Sequence, residues 1–255
     1  MIDLIIQGPF NAYSAEIVNL YSELPWANKI VISCWDGEIT PENSSFDGGK
    51  IKVVSSLPLT NGSIGNRNAQ LTTSHRGISE VTTEFCAKLR SDQKISFDSM
   101  NIMYDRMMKN QDKIGTLGFY KPFPFHPRDH SYWGQTNELK ELFAAPHDPA
   151  WHYISNPVDA WPHSGFYAYQ TRSECYIASH YLARKDSRVK EMVDNPQDYL
   201  WDFSPKWEDA LKLSEELMPK YFYPMPRIDF EWPKHGLSAY PYESVAKSYG
   251  ESWGN

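Results

Sequence analysis

The chain has 255 residues, of which 41% are apolar and 22% charged, so it can bury a core, and a disordered tail is excluded. A net charge of −7 and a pI near 5.6 argue against a general nucleic-acid binder. No apolar run approaches the roughly 18 residues of a membrane span, so no transmembrane segment is expected and membrane contact would be peripheral at most.

Met1-Ile-Asp-Leu-Ile-Ile carries an acid at its third position and no basic region, so no signal peptide is expected. Cys34, Cys86 and Cys175 form no CxxC pair and read as reduced thiols, which points to a cytoplasmic protein. Aromatic residues reach 15%, which suits a wet, ring-lined cleft as well as an aromatic core.

In chain order, Asp3 to Gln7 reads as a strand stopped by Gly8-Pro9, and Asn11 to Glu23 as a helix with one apolar face. Lys29 to Trp35 is a second buried strand and Lys50 to Ser55 a third, more exposed one. Asn66 to Val81 is a polar helix without an apolar stripe, bordering a site or presenting a solvated face. Phe85 to Arg90 is a fourth strand with Asp92 just beyond it, followed by a helix over Phe97–Met108 and a short strand from Lys113. Tyr120–Trp133 and Ala145–Tyr169 are irregular and rich in Pro and rings. Helices are expected over Arg172–Arg184, Val189–Val193 and Lys206–Leu217.

Strands alternating with helices across short links imply an α/β fold, a mostly parallel central sheet with helices on both faces and an irregular aromatic C-terminal half. One domain is expected, residues 1–119 forming one half and 120–255 the other. In open sheets of this kind ligands bind beyond the carboxyl ends of the strands. That nominates Gln7-Gly8-Pro9, Trp35-Asp36, Ser55-Ser56 and Ser91-Asp92 as one rim.

Lys88-Leu-Arg90-Ser-Asp92 delivers an acid to that rim between cations. A carboxylate there suits Mg²⁺ or Mn²⁺ with a diphosphate, and equally a strand-end Asp that pairs with Arg90 and caps the next helix. His126, Asp129 and His130 could bind zinc or iron, although Pro127 breaks helical continuity between the histidines. Asn61-Gly-Ser-Ile-Gly-Asn-Arg67 lacks the Gly-Lys-Ser/Thr ending of a P-loop and reads as a turn ahead of a helix. Rings at Tyr120, Phe123, Phe125, Tyr132 and Trp133 are dense, and Trp151 and Trp161 are the choices for sugar stacking.

Asn66-Arg-Asn-Ala-Gln70, Lys88-Leu-Arg-Ser-Asp92 and Pro122-Phe-Pro-Phe-His-Pro-Arg-Asp-His-Ser-Tyr-Trp-Gly134, in that order, resemble the WavE lipopolysaccharide-synthesis family, with a final match near Trp232-Pro-Lys234. The resemblance runs from about Ile2 to about His235. It implies a GT-A type glycosyltransferase that moves a hexosyl or pentosyl group from a nucleotide sugar to a glycan or lipid-linked saccharide during surface-polysaccharide assembly. It places Gln7, Gly8 and Pro9 at the nucleotide. Asn66, Arg67, Asn68 and Gln70 would open the helix facing the donor, with Lys88, Arg90 and Asp92 at the diphosphate. Asp92 would stand for the last acid of the usual Asp-x-Asp metal motif, holding Mn²⁺ or Mg²⁺. Arg90 stands at the first acid's position, so Arg90 and Lys88 could offset diphosphate charge themselves.

An inverting transfer also needs a base. Asp129, Asp159, Glu174 and Asp186 are candidates; Glu174, at a helix start after a long loop, is preferred and Asp129 is second. Two readings of other classes stay open: a metal-dependent phosphoesterase using His126, Asp129 and His130, and a non-catalytic glycan-binding module.

Overall fold

The computed structural model describes residues 1–40, 46, 49–60, 63, 66–120, 123–148, 172–195, 205–226, 228 and 230–232. Four parallel strands come from the first third of the chain: β1 (Ile2–Gln7), β2 (Ala27–Trp35), β3 (Ile51–Ser56) and β4 (Phe85–Arg90). Their connections carry α1 (Ala12–Ser22) and α2 (Arg67–Ser79). Asn11 starts α1 with a reciprocal capping box to Ser14, which satisfies two amide donors of the first turn.

Beyond β4 come β5 (Lys94–Ile95), α3 (Phe97–Met108), β6 (Ile114–Thr116), β7 (Ser131–Gln135) and α4 (Thr136–Leu142). The last described elements are α5 (Ser173–Ala183), α6 (Ser187–Asp194), α7 (Pro205–Tyr221), β8 (Phe222–Pro224) and β9 (Phe230–Glu231). The main sheet has seven strands in the order β3-β2-β1-β4-β7-β6-β8. It is mostly parallel, with β7 running antiparallel to both β4 and β6. β7 and β8 lie past residue 119, so one sheet joins the two halves expected from the sequence.

The pleat divides the core. Ile5 and Val31 face a layer built from α2, α4, α5, α6 and α7. Leu4, Ile6, Ile30 and Ile32 face α1 and α3, where Val18, Tyr21, Met100 and Met103 meet them. Helices therefore cover both faces. The polar α2 comes very close to the sheet at Gly77, where a Cβ would lie 2.5 Å from Cγ2 of Ile5. Gly77 and other small residues make the contact together with Leu71 and Ile78.

The expected strands and helices are present; β5, β7, α4, β8 and β9 were not read from the sequence, and β7 lies in the main sheet. Ser131–Gln135, inside and just past the stretch read as irregular, is the central strand β7. It is five residues long and buried at four, so no alternation of apolar and polar residues marks it. The three cysteines are free and buried.

Candidate functional site

A cleft of about 620 Å³ opens at the carboxyl ends of β1, β2 and β4. Gln7, Gly8 and Pro9 line it from β1, Trp35 from β2, and Arg90, Ser91 and Asp92 from β4. The start of α1 adds Asn11 and Tyr13, and α2 adds Asn66, Gln70 and Thr73. Asp129, from the segment before β7, completes the wall.

Local chemistry fixes this rim. Gly8 sits at φ +124, and a Cβ on it would approach Oγ of Ser91 to 2.8 Å, so glycine lets the two strand ends touch. Ser91 donates from its hydroxyl to the Pro9 carbonyl (2.7 Å) and from its amide to the Gln7 carbonyl (3.0 Å). The Gln7 amide donates to Thr73 Oγ1 (2.7 Å), tying β1 to α2. One oxygen of Glu38 accepts the Trp35 amide (2.9 Å) and the Phe10 amide (3.1 Å), which draws the loops after β1 and β2 together.

The floor of the cleft is charged. Arg90 donates through Nε to Oδ1 of Asp92 and through Nη2 to Oδ2, both at 2.9 Å, and through Nη1 to Oδ2 of Asp129 at 2.9 Å. One guanidinium between two carboxylates leaves the lining net negative by one. Burial would raise the Asp129 carboxyl, but Arg90, His130 and Lys88 outweigh it and hold it well below the usual range. Burial works against the Arg90 charge, yet Asp129 and Asp92 keep it protonated. Lys88 lies wholly buried behind this floor, donating to the Asp129 carbonyl (3.2 Å), and burial lowers its pKa to about 8.

Glu174 stands in the first turn of α5, behind Asp129 and outside the cleft lining. Burial first, and then the Asp129 charge, push its carboxyl up to about 7. Its Oε2 lies 3.9 Å from Nε2 of His126. Burial and Arg172 lower His126 to about 4, so that contact is not an ion pair near neutral pH.

Of the rim nominated at the strand ends, Gln7, Gly8, Pro9, Trp35, Ser91 and Asp92 share one cleft, and Asn66, Gln70, Arg90 and Asp129, nominated on other grounds, join them there. Other nominees do not line it, Ser55 and Ser56 at the end of β3 among them. Asp36 is exposed. Arg67 is fully buried, pairs with Asp148 at 2.6 Å and stacks on Tyr176, because the first turn of α2 leans on the 144–148 segment. Asn68 brackets the Asp148 backbone, donating to its carbonyl (3.0 Å) and accepting its amide (2.8 Å). Lys88 points into the interior beside Tyr132 and Phe143.

Asp92 does not cap α3; Ser96 does. His126 and His130 do not share a metal site with Asp129, since His130 Nδ1 meets the Gln93 amide at 2.7 Å and His126 turns toward Glu174. Among the described residues no group of three His, Cys, Asp or Glu could hold a metal ion. Asp186 caps α6 and pairs with Arg188, which spends its carboxylate. Trp151, Asp159 and Trp161 lie outside the described residues.

Sequence reasoning passed over Asn11, Tyr13 and Thr73 as cleft residues. Their signal was positional: each lies in a helix that follows or faces a nominated strand end.

No protein-family model matches the chain, and no curated protein matches it. Among solved structures the chain is similar to HddC from Yersinia pseudotuberculosis, at 9% identity over 61% of this chain and 86% of that one, with a TM-score of 0.38. It is similar to S. aureus TarS 1–349 in complex with UDP-GlcNAc, at 14% identity over 55% of this chain and 47% of that one, with a TM-score of 0.38. It is also similar to galactosyltransferase LgtC with donor and acceptor sugar analogues, at 9% identity, 57% and 60% coverage and a TM-score of 0.37. The chain spans about half of that TarS structure. Likeness of this degree assigns no activity. No helix among the described residues is long and apolar enough to cross a membrane.

Proposed function

We propose that this protein is a glycosyltransferase of the GT-A type, moving a sugar from a nucleotide-sugar donor to a glycan or lipid-linked saccharide. The resemblance of its motifs to the WavE family supports surface-polysaccharide assembly as the setting. One observation carries the reading: the carboxyl ends of β1, β2 and β4 and the start of α2 enclose one cleft with Arg90, Asp92 and Asp129 on its floor. Crevices at this place in parallel sheets take nucleotides. Trp35 offers a ring for the base, and the amides of Gln7, Asn11, Asn66 and Gln70 suit ribose and phosphate oxygens.

The side chains present do not fit a resident divalent ion. Both oxygens of Asp92 are held by Arg90, and no three-ligand cluster exists among the described residues. A divalent ion would instead arrive as part of the donor complex, where its charge would offset the net negative floor.

In the transfer, the acceptor oxygen bonds to the anomeric carbon as that carbon's bond to the diphosphate oxygen breaks. The nucleoside diphosphate leaves with the bonding pair. The acceptor proton passes to a base; Asp129 lines the cleft, while Glu174 stands behind it with the carboxyl better matched to take a proton near neutral pH. Asp129 is held ionised by its cations and so attracts protons weakly, whereas Glu174 titrates near neutral pH.

The test is a thermal-shift panel of UDP, GDP, CDP and ADP with and without Mn²⁺. A ligand at one hundred times its dissociation constant adds about 2.7 kcal/mol of stability, a shift of several degrees. If no nucleotide moves the transition at millimolar concentration, the glycosyltransferase reading is lost.

A further inference from the structure

The segment after α7 returns to the cleft floor. β9 pairs antiparallel with β5, Lys94 opposite Glu231 and Ile95 opposite Phe230, directly after the strand end that carries Asp92. Lys94 and Glu231 also form an ion pair at 3.0 Å. This two-residue ribbon sets the next side chain, Trp232, against the charged floor. The indole N–H donates to Oδ2 of Asp92 at 3.3 Å, and the ring lies 5.4 Å from the Arg90 guanidinium carbon. His130 meets the Trp232 ring edge-on at 5.3 Å and the Phe230 ring at 5.5 Å, so the indole is braced from a second side. Trp232 itself is not part of the cleft lining.

An arginine side chain on a cleft floor is long and rotatable, and holding it and its carboxylate partner in one geometry costs entropy. A ring laid over a guanidinium and an N–H on the paired carboxylate remove that freedom in advance. We infer that Trp232 is a positioning residue of the donor site: it fixes Arg90 and Asp92 in the arrangement that receives the donor diphosphate, and the β5–β9 ribbon makes a C-terminal segment part of that site. The inference rests on the nucleotide-sugar reading above and assigns it a residue more than one hundred positions from the strand that bears the charges.

The test uses the full chain and the diphosphate of the UDP, GDP, CDP and ADP panel that binds tightest with Mn²⁺. Trp232→Ala should weaken that diphosphate about ten-fold, since the loss combines a hydrogen bond to a charged group with a cation–ring contact. Trp232→Phe, which keeps a ring and loses only the N–H, should weaken it by less, with a melting temperature close to the parent's. Should the alanine variant fold poorly, the phenylalanine variant carries the test. Lys94→Glu and Glu231→Lys should each weaken binding a few-fold, and the double exchange should restore it, a rescue that loss of bulk packing would not produce.

Unchanged diphosphate affinity in a folded Trp232→Ala protein overturns the positioning role while leaving the donor site standing. If the parent protein binds none of the four diphosphates, the functional reading falls and the role of Trp232 falls with it.

Discussion

The Arg90 guanidinium meets the Asp92 carboxylate through two parallel hydrogen bonds of 2.9 Å and reaches Asp129 with a third. The two acids on the cleft floor are therefore coupled through a single cation. Removing either carboxylate redistributes the charge of Arg90 onto the other. The chemistry of the floor is that of the triad, not of any one member.

Asp92→Asn replaces two charge-assisted acceptors by one neutral acceptor and an amide that repels the guanidinium. Arg90 should then turn toward Asp129 and away from the donor. Turnover of a nucleotide sugar is expected to fall about 100-fold, the scale seen when one oriented charge-stabilising group is lost. Urea unfolding should show a stability change of about 1 kcal/mol, in keeping with a pair about one quarter exposed. Near-normal turnover would remove Asp92 from the donor site.

Glu174→Gln separates the base from the clamp. It should depress turnover by about 10²–10⁴ and leave diphosphate affinity unchanged, because Glu174 stands outside the cleft lining. Asp129→Asn should weaken diphosphate binding as well, through Arg90. The two variants are read by turnover and by titration of the bound diphosphate. Reversed outcomes would move the base to Asp129.

The raised carboxyl of Glu174 also sets a pH signature. A base must be ionised, so turnover over substrate affinity should rise with pH and level off above about 7. Stability runs the other way. The folded state favours the neutral carboxyl, so this contribution is complete below the ordinary carboxylate range and is lost as pH rises through about 7. Glu174→Gln should consequently gain on the parent in urea midpoint between pH 5 and pH 8. Parallel midpoints across that range would mean an ordinary pKa for Glu174.

Asp148→Asn tests the support beneath α2. Arg67 is wholly buried and its guanidinium pairs with Asp148 at 2.6 Å. Removing the acid takes from a buried cation the carboxylate it pairs with, and breaking such pairs costs about 3–5 kcal/mol. Urea midpoints should fall accordingly. A loss below about 1 kcal/mol would show that the pair is solvated.

Gly8→Ala addresses the turn itself. The φ of +124 disfavours any side chain, and the new Cβ would press on Ser91. A loss of more than about 1 kcal/mol is expected, with weaker diphosphate binding because the β1 and β4 ends would separate. A parent-like melting temperature would mean that the turn relaxes without cost.

Much of this was legible in the residues alone. Mostly apolar runs ending at Gly8-Pro9, at Trp35 and just before Asp92 mark parallel strands, because strands buried on both faces read as near-continuous apolar runs. The rule that ligands gather at carboxyl ends nominated Gln7, Gly8, Pro9, Trp35, Ser91 and Asp92, which share one cleft, and also Asp36, Ser55 and Ser56, which do not line it. Sequence periodicity also placed α1, α3 and the helices after residue 172.

Tertiary structure decided how the charges are partnered. Arg67 and Gln70 are three residues apart on the polar helix α2, yet Arg67 is sealed against Asp148 while Gln70 faces the cleft. Nothing in local spacing tells these apart, since the choice depends on a segment about 80 residues away. The same holds for Asp92, whose carboxylate could serve a metal or a guanidinium until its neighbours were in place. β7 escaped notice because a short strand buried at four of its five residues has no periodicity to betray it, and it brings Asp129 to the floor. Trp232 reaches Asp92 across 140 residues through a two-residue ribbon. Local sequence sets which backbone each segment prefers; which buried charge finds which partner is a matter of long-range packing, and there the chemistry of this cleft was settled.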